Sequence, residues 1–109
     1  MNKKEQIAKI NENALLIDGL DKAIIGTGSQ YGNSPVVIYD KEKCIEIIAE
    51  QFLESNKNIE DPYLDAIEWF SFNVECTYMG EHTPIIMSYL DVEYKKYETR
   101  KHKRNSSGV

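Results

Sequence analysis

Apolar positions along the chain change period several times, and each change marks an element. Residues 3–12 have helix-forming composition, yet only Ile7 and Ile10 mark an apolar face, so a helix here needs something to pack on. Asp18–Gly19 then reads as a turn. Two β-branched runs follow, "KAIIGTG" and "SPVVIYD", joined by "SQYGN". They predict a β-hairpin with the positive backbone angles of its turn at Gly32–Asn33. Pro35 falls at the start of the second strand, where a missing N–H matters least.

After Asp40 the period lengthens from two to 3.6. Ile45, Ile48, Ala49, Phe52 and Leu53 recur at i, i+3, i+4, i+7 and i+8, one face of a helix over 41–55 that the Asp40 carboxylate can cap. Asp61 before Pro62 is a second cap, with proline at the first helical position. Tyr63, Ala66, Ile67, Phe70 and Val74 form the face of a helix over 62–73, and Asn73 is read as its left-handed end. Two extended pieces, around 75–79 and 84–90, are broken by Gly80 and Pro84.

These elements predict an α+β domain over residues 1–92: a small antiparallel sheet, the hairpin plus a C-terminal strand or strands, packed on two helices, with a marginal N-terminal helix. Residues 93–109 are polar and basic and are expected to fray. Leu90, Tyr94 and Tyr97 have helical spacing, so the start of that tail is expected to form a short helix docked on the body.

Composition narrows the choice of function. At 109 residues, 41% hydrophobic and 28% charged, the chain can bury one core without a disulfide or metal staple. No apolar run approaches a membrane span, and the N-terminus lacks the apolar centre of a secretory signal, which predicts a cytoplasmic protein. Cys44 and Cys76 have no Cys-x-x-Cys spacing and no histidine at ligand distance, so they are expected to be reduced, mostly buried thiols, with no metal and no cofactor.

Charge is unevenly placed. Residues 1–92 hold 7 Lys/Arg and 16 Asp/Glu, a net of −9, whereas residues 93–109 hold 6 and 2, a net of +4. An acidic body repels phosphate backbones, leaving only the tail as a nucleic-acid candidate.

The glycine-rich "GTGSQYG" has a strand after it where a phosphate loop needs a helix, so it is read as a turn. Tyr31 at its tip either folds back on the hairpin or meets a partner or ligand. Glu81, His82 and Thr83 place an acid, an imidazole and a hydroxyl in a row, but neighbours in an extended segment point to opposite sides, which argues against shared catalysis. Asp18, Asp21 and Asp40 add carboxylates, and a reactive pair among them would have to converge in a cleft. Glu46, Glu50 and Glu54, at i, i+4 and i+8 on the side of their helix away from its apolar face, form either a solvated stripe or a docking surface for a basic partner. Trp69 is read as core, with an exposed edge as the alternative.

Four blocks, "DGLDKAIIG", "PVVIYDKEKCIEII", "AIEWFSFNV" and "YMGEHTP", resemble a family of small proteins of unknown function encoded by tailed bacteriophages and prophages. The likeness spans roughly residues 14–86 and departs from the pattern at "ESNKNIEDPYLD" and in the basic tail. It implies a phage accessory protein, made in the cytoplasm of the bacterial host, with no catalytic residues to carry over. Glu81 and His82 are polar positions in a matching block without an evident folding duty. The expected function is therefore binding to a host protein with a basic surface, a CRISPR-type defence factor among the candidates, rather than catalysis. A small-molecule or nucleotide-binding module is the alternative.

Overall fold

The computed structural model describes residues 2–90. The basic tail expected over 93–109, with Tyr94 and Tyr97, lies outside the described residues. In chain order the elements are helix α1 (Lys3–Ile10), a 3-10 turn (Asp21–Ala23), strands β1 (Ile24–Gly28) and β2 (Val36–Asp40), helices α2 (Lys41–Ser55) and α3 (Pro62–Phe70), a π-helical turn (Ser71–Glu75) and strand β3 (Ile85–Met87). The class is α+β.

Local chemistry accounts for the helix starts. Asn2 and Glu5 form a reciprocal capping box at α1: the Glu5 N–H donates to Asn2 Oδ1 at 2.8 Å, and the Asn2 N–H donates to Glu5 Oε1 at 3.1 Å. Asp40 accepts from the Lys43 N–H at the start of α2, and Asp61 from the Leu64 N–H at the start of α3, with Pro62 in the first turn. The weak N-terminal helix finds its support in tertiary contacts. Ile7 is buried, the Lys3 ammonium donates to the Ile24 carbonyl, and Lys4 pairs with Asp21. Ile10 stays exposed, and the helix stops there because Asn11 is extended.

Strand β2 is the middle of a three-stranded sheet of order β1-β2-β3. It pairs antiparallel with β1, where Gly26 opposes Ile38 and Gly28 opposes Val36, and a bulge at Ile25 interrupts the register. The turn differs from the sequence reading by one position. The Asn33 N–H donates to the Gln30 carbonyl, and the two central residues, Tyr31 (φ 53°) and Gly32 (φ 78°), carry the positive angles, so the pair is Tyr31–Gly32 and not Gly32–Asn33.

The third strand corrects the expected antiparallel sheet. β3 runs parallel to β2, with Ile38 opposite Ile85 and Asp40 opposite Met87, so the sheet is mixed. A parallel neighbour needs a crossover; here α2, α3 and the loop 76–84 supply it. The extended piece expected over 75–79 is part of that return path and not a strand. Asn73 is not left-handed either: Tyr31 is the only described non-glycine residue with positive φ, and Asn73 sits in the π-helical turn with its side-chain amide donating to the Trp69 carbonyl.

The core lies between the sheet and the α2–α3 pair. Val37 and Tyr39 from β2 meet Cys44, Ile45 and Ile48 from α2 and Ala66 and Phe70 from α3, with Phe52, Ile67 and Ile86 packed at the margin. Leu53, expected on the inner face of α2, is instead exposed. Trp69 takes the alternative sequence reading: its ring sets an edge against Phe52, with centroids 6.4 Å apart and planes at 88°, and is 44% exposed. Cys44 is buried as expected, but Cys76 follows the π-helical turn and is exposed.

Candidate functional site

Helix α2 positions the acidic stripe, and tertiary packing divides it. Glu46 lies 4.0 Å from the Lys43 ammonium of its own helix. Glu50 and Glu54 line a shallow cleft of about 380 Å³ between α2 and the turn that precedes β1. Asp21 and Lys22 of that turn form the opposite wall, and Ile47 and Gln51 complete the α2 side. The structure thus gathers Asp21, Glu50 and Glu54 into one cleft and leaves Glu46 out. Neither Glu50 nor Glu54 makes an ion pair among the described residues, whereas Asp21 is bound to Lys4 at 3.2 Å on an exposed surface, where such pairs contribute little. Three carboxylates against the single Lys22 in the cleft give it a negative potential.

Tyr31 projects from the hairpin tip and is 95% exposed, so it does not fold back on its own strands. Its left-handed backbone costs a non-glycine residue roughly 1–2 kcal/mol, and no contact of its ring offsets that.

Glu81 is exposed, while His82 has the folding duty that its sequence position does not reveal. The His82 Nδ1 lies 3.1 Å from the Asn11 side-chain nitrogen, which also donates to the Pro35 carbonyl at 2.8 Å. The Asn11 oxygen is occupied by the Asn13 N–H, which orients the amide and leaves its nitrogen as the donor to Nδ1. The Leu15 N–H donates to the His82 carbonyl. Thr83 closes the loop by accepting from the Met79 N–H and donating to the Gly80 carbonyl. Asp18 and Asp40 are separated from the acidic cleft: Asp18 lines a second groove, and Asp40 caps α2 while accepting from the Tyr89 hydroxyl.

The second groove, about 550 Å³, went unrecognised in the sequence. Its walls come from residues 16–18, the stretch 73–79 and the approach to β3, including Ile17, Val74, Tyr78, Met79, Pro84 and Ile86. These residues share no short-range period, so no sequence signal joins them. Tyr31, Glu81 and His82 line neither cleft. Among the described residues no cluster of three or more His, Cys, Asp or Glu has metal-binding geometry, and no helix is long and apolar enough to cross a membrane.

No family model matches the chain, and neither a curated protein nor a solved structure is similar to it at a significant level.

Proposed function

We propose that this protein works by binding a protein with a basic surface and not by catalysis. The observation that carries this reading is the cleft in which Glu50 and Glu54, without cationic partners among the described residues, face Asp21. Carboxylates left unneutralised at a concave surface steer and select a cationic partner by long-range attraction, more than they stabilise the fold. Tyr31 supplies an exposed aromatic of the kind that anchors interfaces. The resemblance of the sequence blocks to small phage and prophage proteins supports an infected bacterium as the setting of this binding. The partner class is then a host protein with a basic groove, such as a nucleic-acid-binding component of a CRISPR-type defence system.

The test is capture from bacterial lysate on the intact chain, at low and high salt, beside the Glu50→Gln/Glu54→Gln variant. A basic protein should be retained at low salt and released as salt rises, since exposed charges are screened over about 8 Å at physiological ionic strength. The variant should retain less of it. A captured protein that ignores both salt and the variant would sink the electrostatic reading.

A further inference from the structure

One stripe of α3 keeps its aromatic residues in water. Trp69 is 44% exposed and Phe72, in the π-helical turn, is 78% exposed, while Phe70 between them fills the core. Asp65, Glu68, Trp69 and Phe72 fall at i, i+3, i+4 and i+7 and are all exposed, so two carboxylates and two rings share the face turned away from Ala66 and Phe70. The Trp69 ring also reaches across to Phe52 of α2, and Leu53, next to Phe52 in the chain, is exposed as well. Because α2 and α3 pack against each other, the stripe lies on the outer side of a helix pair, where a third helix can bury what the pair leaves in water.

Charge selects the occupant. From Cys44 to Leu90 the chain holds nine Asp/Glu and one Lys/Arg, Lys57. Neither Asp65 nor Glu68 makes an ion pair among the described residues. A second copy of the chain would bring the same excess of carboxylates to the contact, and like charges oppose that pairing. A helix with apolar residues on one face and lysine or arginine beside them matches both features, the rings by burial and the carboxylates by attraction. Exposed tryptophan and its aromatic neighbours are the side chains that anchor such contacts.

We infer that the outer face of α3 docks a basic amphipathic helix of a partner protein, with Trp69 and Phe72 as its apolar anchors and Asp65 and Glu68 pairing with its cations. This face is distinct from the cleft of Asp21, Glu50 and Glu54, and the two contacts stand or fall separately.

Trp69 is the single tryptophan of the chain, so its emission reports directly on this face. The probe is a tryptophan-free helical peptide of about 18 residues, built from leucine and lysine with the leucines on one face. Titrated into the full chain, it should shift Trp69 emission to shorter wavelength and saturate; a peptide with the same lysines and with serine in place of leucine should not. Phe72→Ser, at a site with little packing to lose, should keep the parent melting temperature and weaken peptide binding by about ten-fold. Asp65→Asn/Glu68→Gln should weaken it at low salt and match the parent at high salt, where exposed charges are screened. Glu50→Gln/Glu54→Gln should bind within about two-fold of the parent, since it leaves both anchors in place. No shift with the leucine peptide, or equal affinity in the parent and Phe72→Ser, would overturn the inference. Binding lost in Glu50→Gln/Glu54→Gln and kept in Phe72→Ser would assign the peptide to the cleft and overturn it as well. A shift to shorter wavelength on concentrating the protein alone would give the face to a second copy, with the same consequence.

Discussion

The side-chain nitrogen of Asn11 donates to Nδ1 of His82 at 3.1 Å, joining residues 71 positions apart, and the same amide holds the Pro35 carbonyl at the entrance to β2. This one amide ties the end of α1, the hairpin and the loop before β3 together. Asn11→Ala and His82→Ala should each lower stability by about 1–3 kcal/mol, the range for leaving a partly buried polar group without its partner. In urea titrations the double variant should lose less than the two losses added, because both remove the same bond. Full additivity would show that His82 does not act through Asn11.

Phe70 is fully buried at the centre of the core, whereas Phe52 packs at its margin against the edge of Trp69. Phe70→Ala should therefore cost about 3–5 kcal/mol and Phe52→Ala distinctly less. Chemical denaturation of both decides it; a reversed order would mean that α2 and α3 are packed in a different rotation.

Burial pushes the Cys44 thiol from 9.0 up to about 12, with the Asp40 carboxylate adding to the shift. Burial also raises the Tyr39 phenol, and the hydrogen bond from the Ile17 N–H only partly opposes this. Both groups are held protonated in the fold; the Cys44 contribution is complete below pH 9.0 and is lost as pH rises from there toward 12, and the Tyr39 contribution is lost as pH rises above 10.0. Melting temperature should fall over that window. Cys44→Ala, although less stable at neutral pH, should show a shallower alkaline fall, with the remainder due to Tyr39; an unchanged slope would show that the thiol does not contribute.

Tyr31 and Gly32 share the turn but differ in what their backbone angles demand. Gly32→Val should destabilise by about 1–2 kcal/mol, because a β-branched residue is placed in the left-handed region. Tyr31→Gly removes that same strain and should leave the melting temperature unchanged or higher. If Tyr31 anchors a partner, the glycine variant keeps its fold and binds less. A clear loss of stability in Tyr31→Gly would instead give the ring a packing role within the hairpin.

Much of the fold was legible in the chain because its signals are local. The Asp40 and Asp61 caps, the proline after Asp61, and the apolar faces of α2 and α3 depend on residues within a turn or two of each other, and each reappears in the structure, with Leu53 alone leaving the α2 face. The hairpin was legible for the same reason, but its turn was displaced by one residue because Tyr31, and not Asn33, takes the left-handed angle. The acidic residues of α2 were also visible as a periodic stripe. Whether they stand alone was not: Asp21 reaches Glu50 and Glu54 only because the turn before β1 packs beside α2. Long-range arrangement likewise placed Cys76 at the surface, gave His82 its bond to Asn11 and set β3 parallel to β2. A strand's direction follows from the path that returns the chain to the sheet, and residues 76–84 carry no short-range period that specifies that path. Periodicity and capping are properties of neighbours in sequence, whereas clefts, strand direction and exposure are properties of neighbours in space.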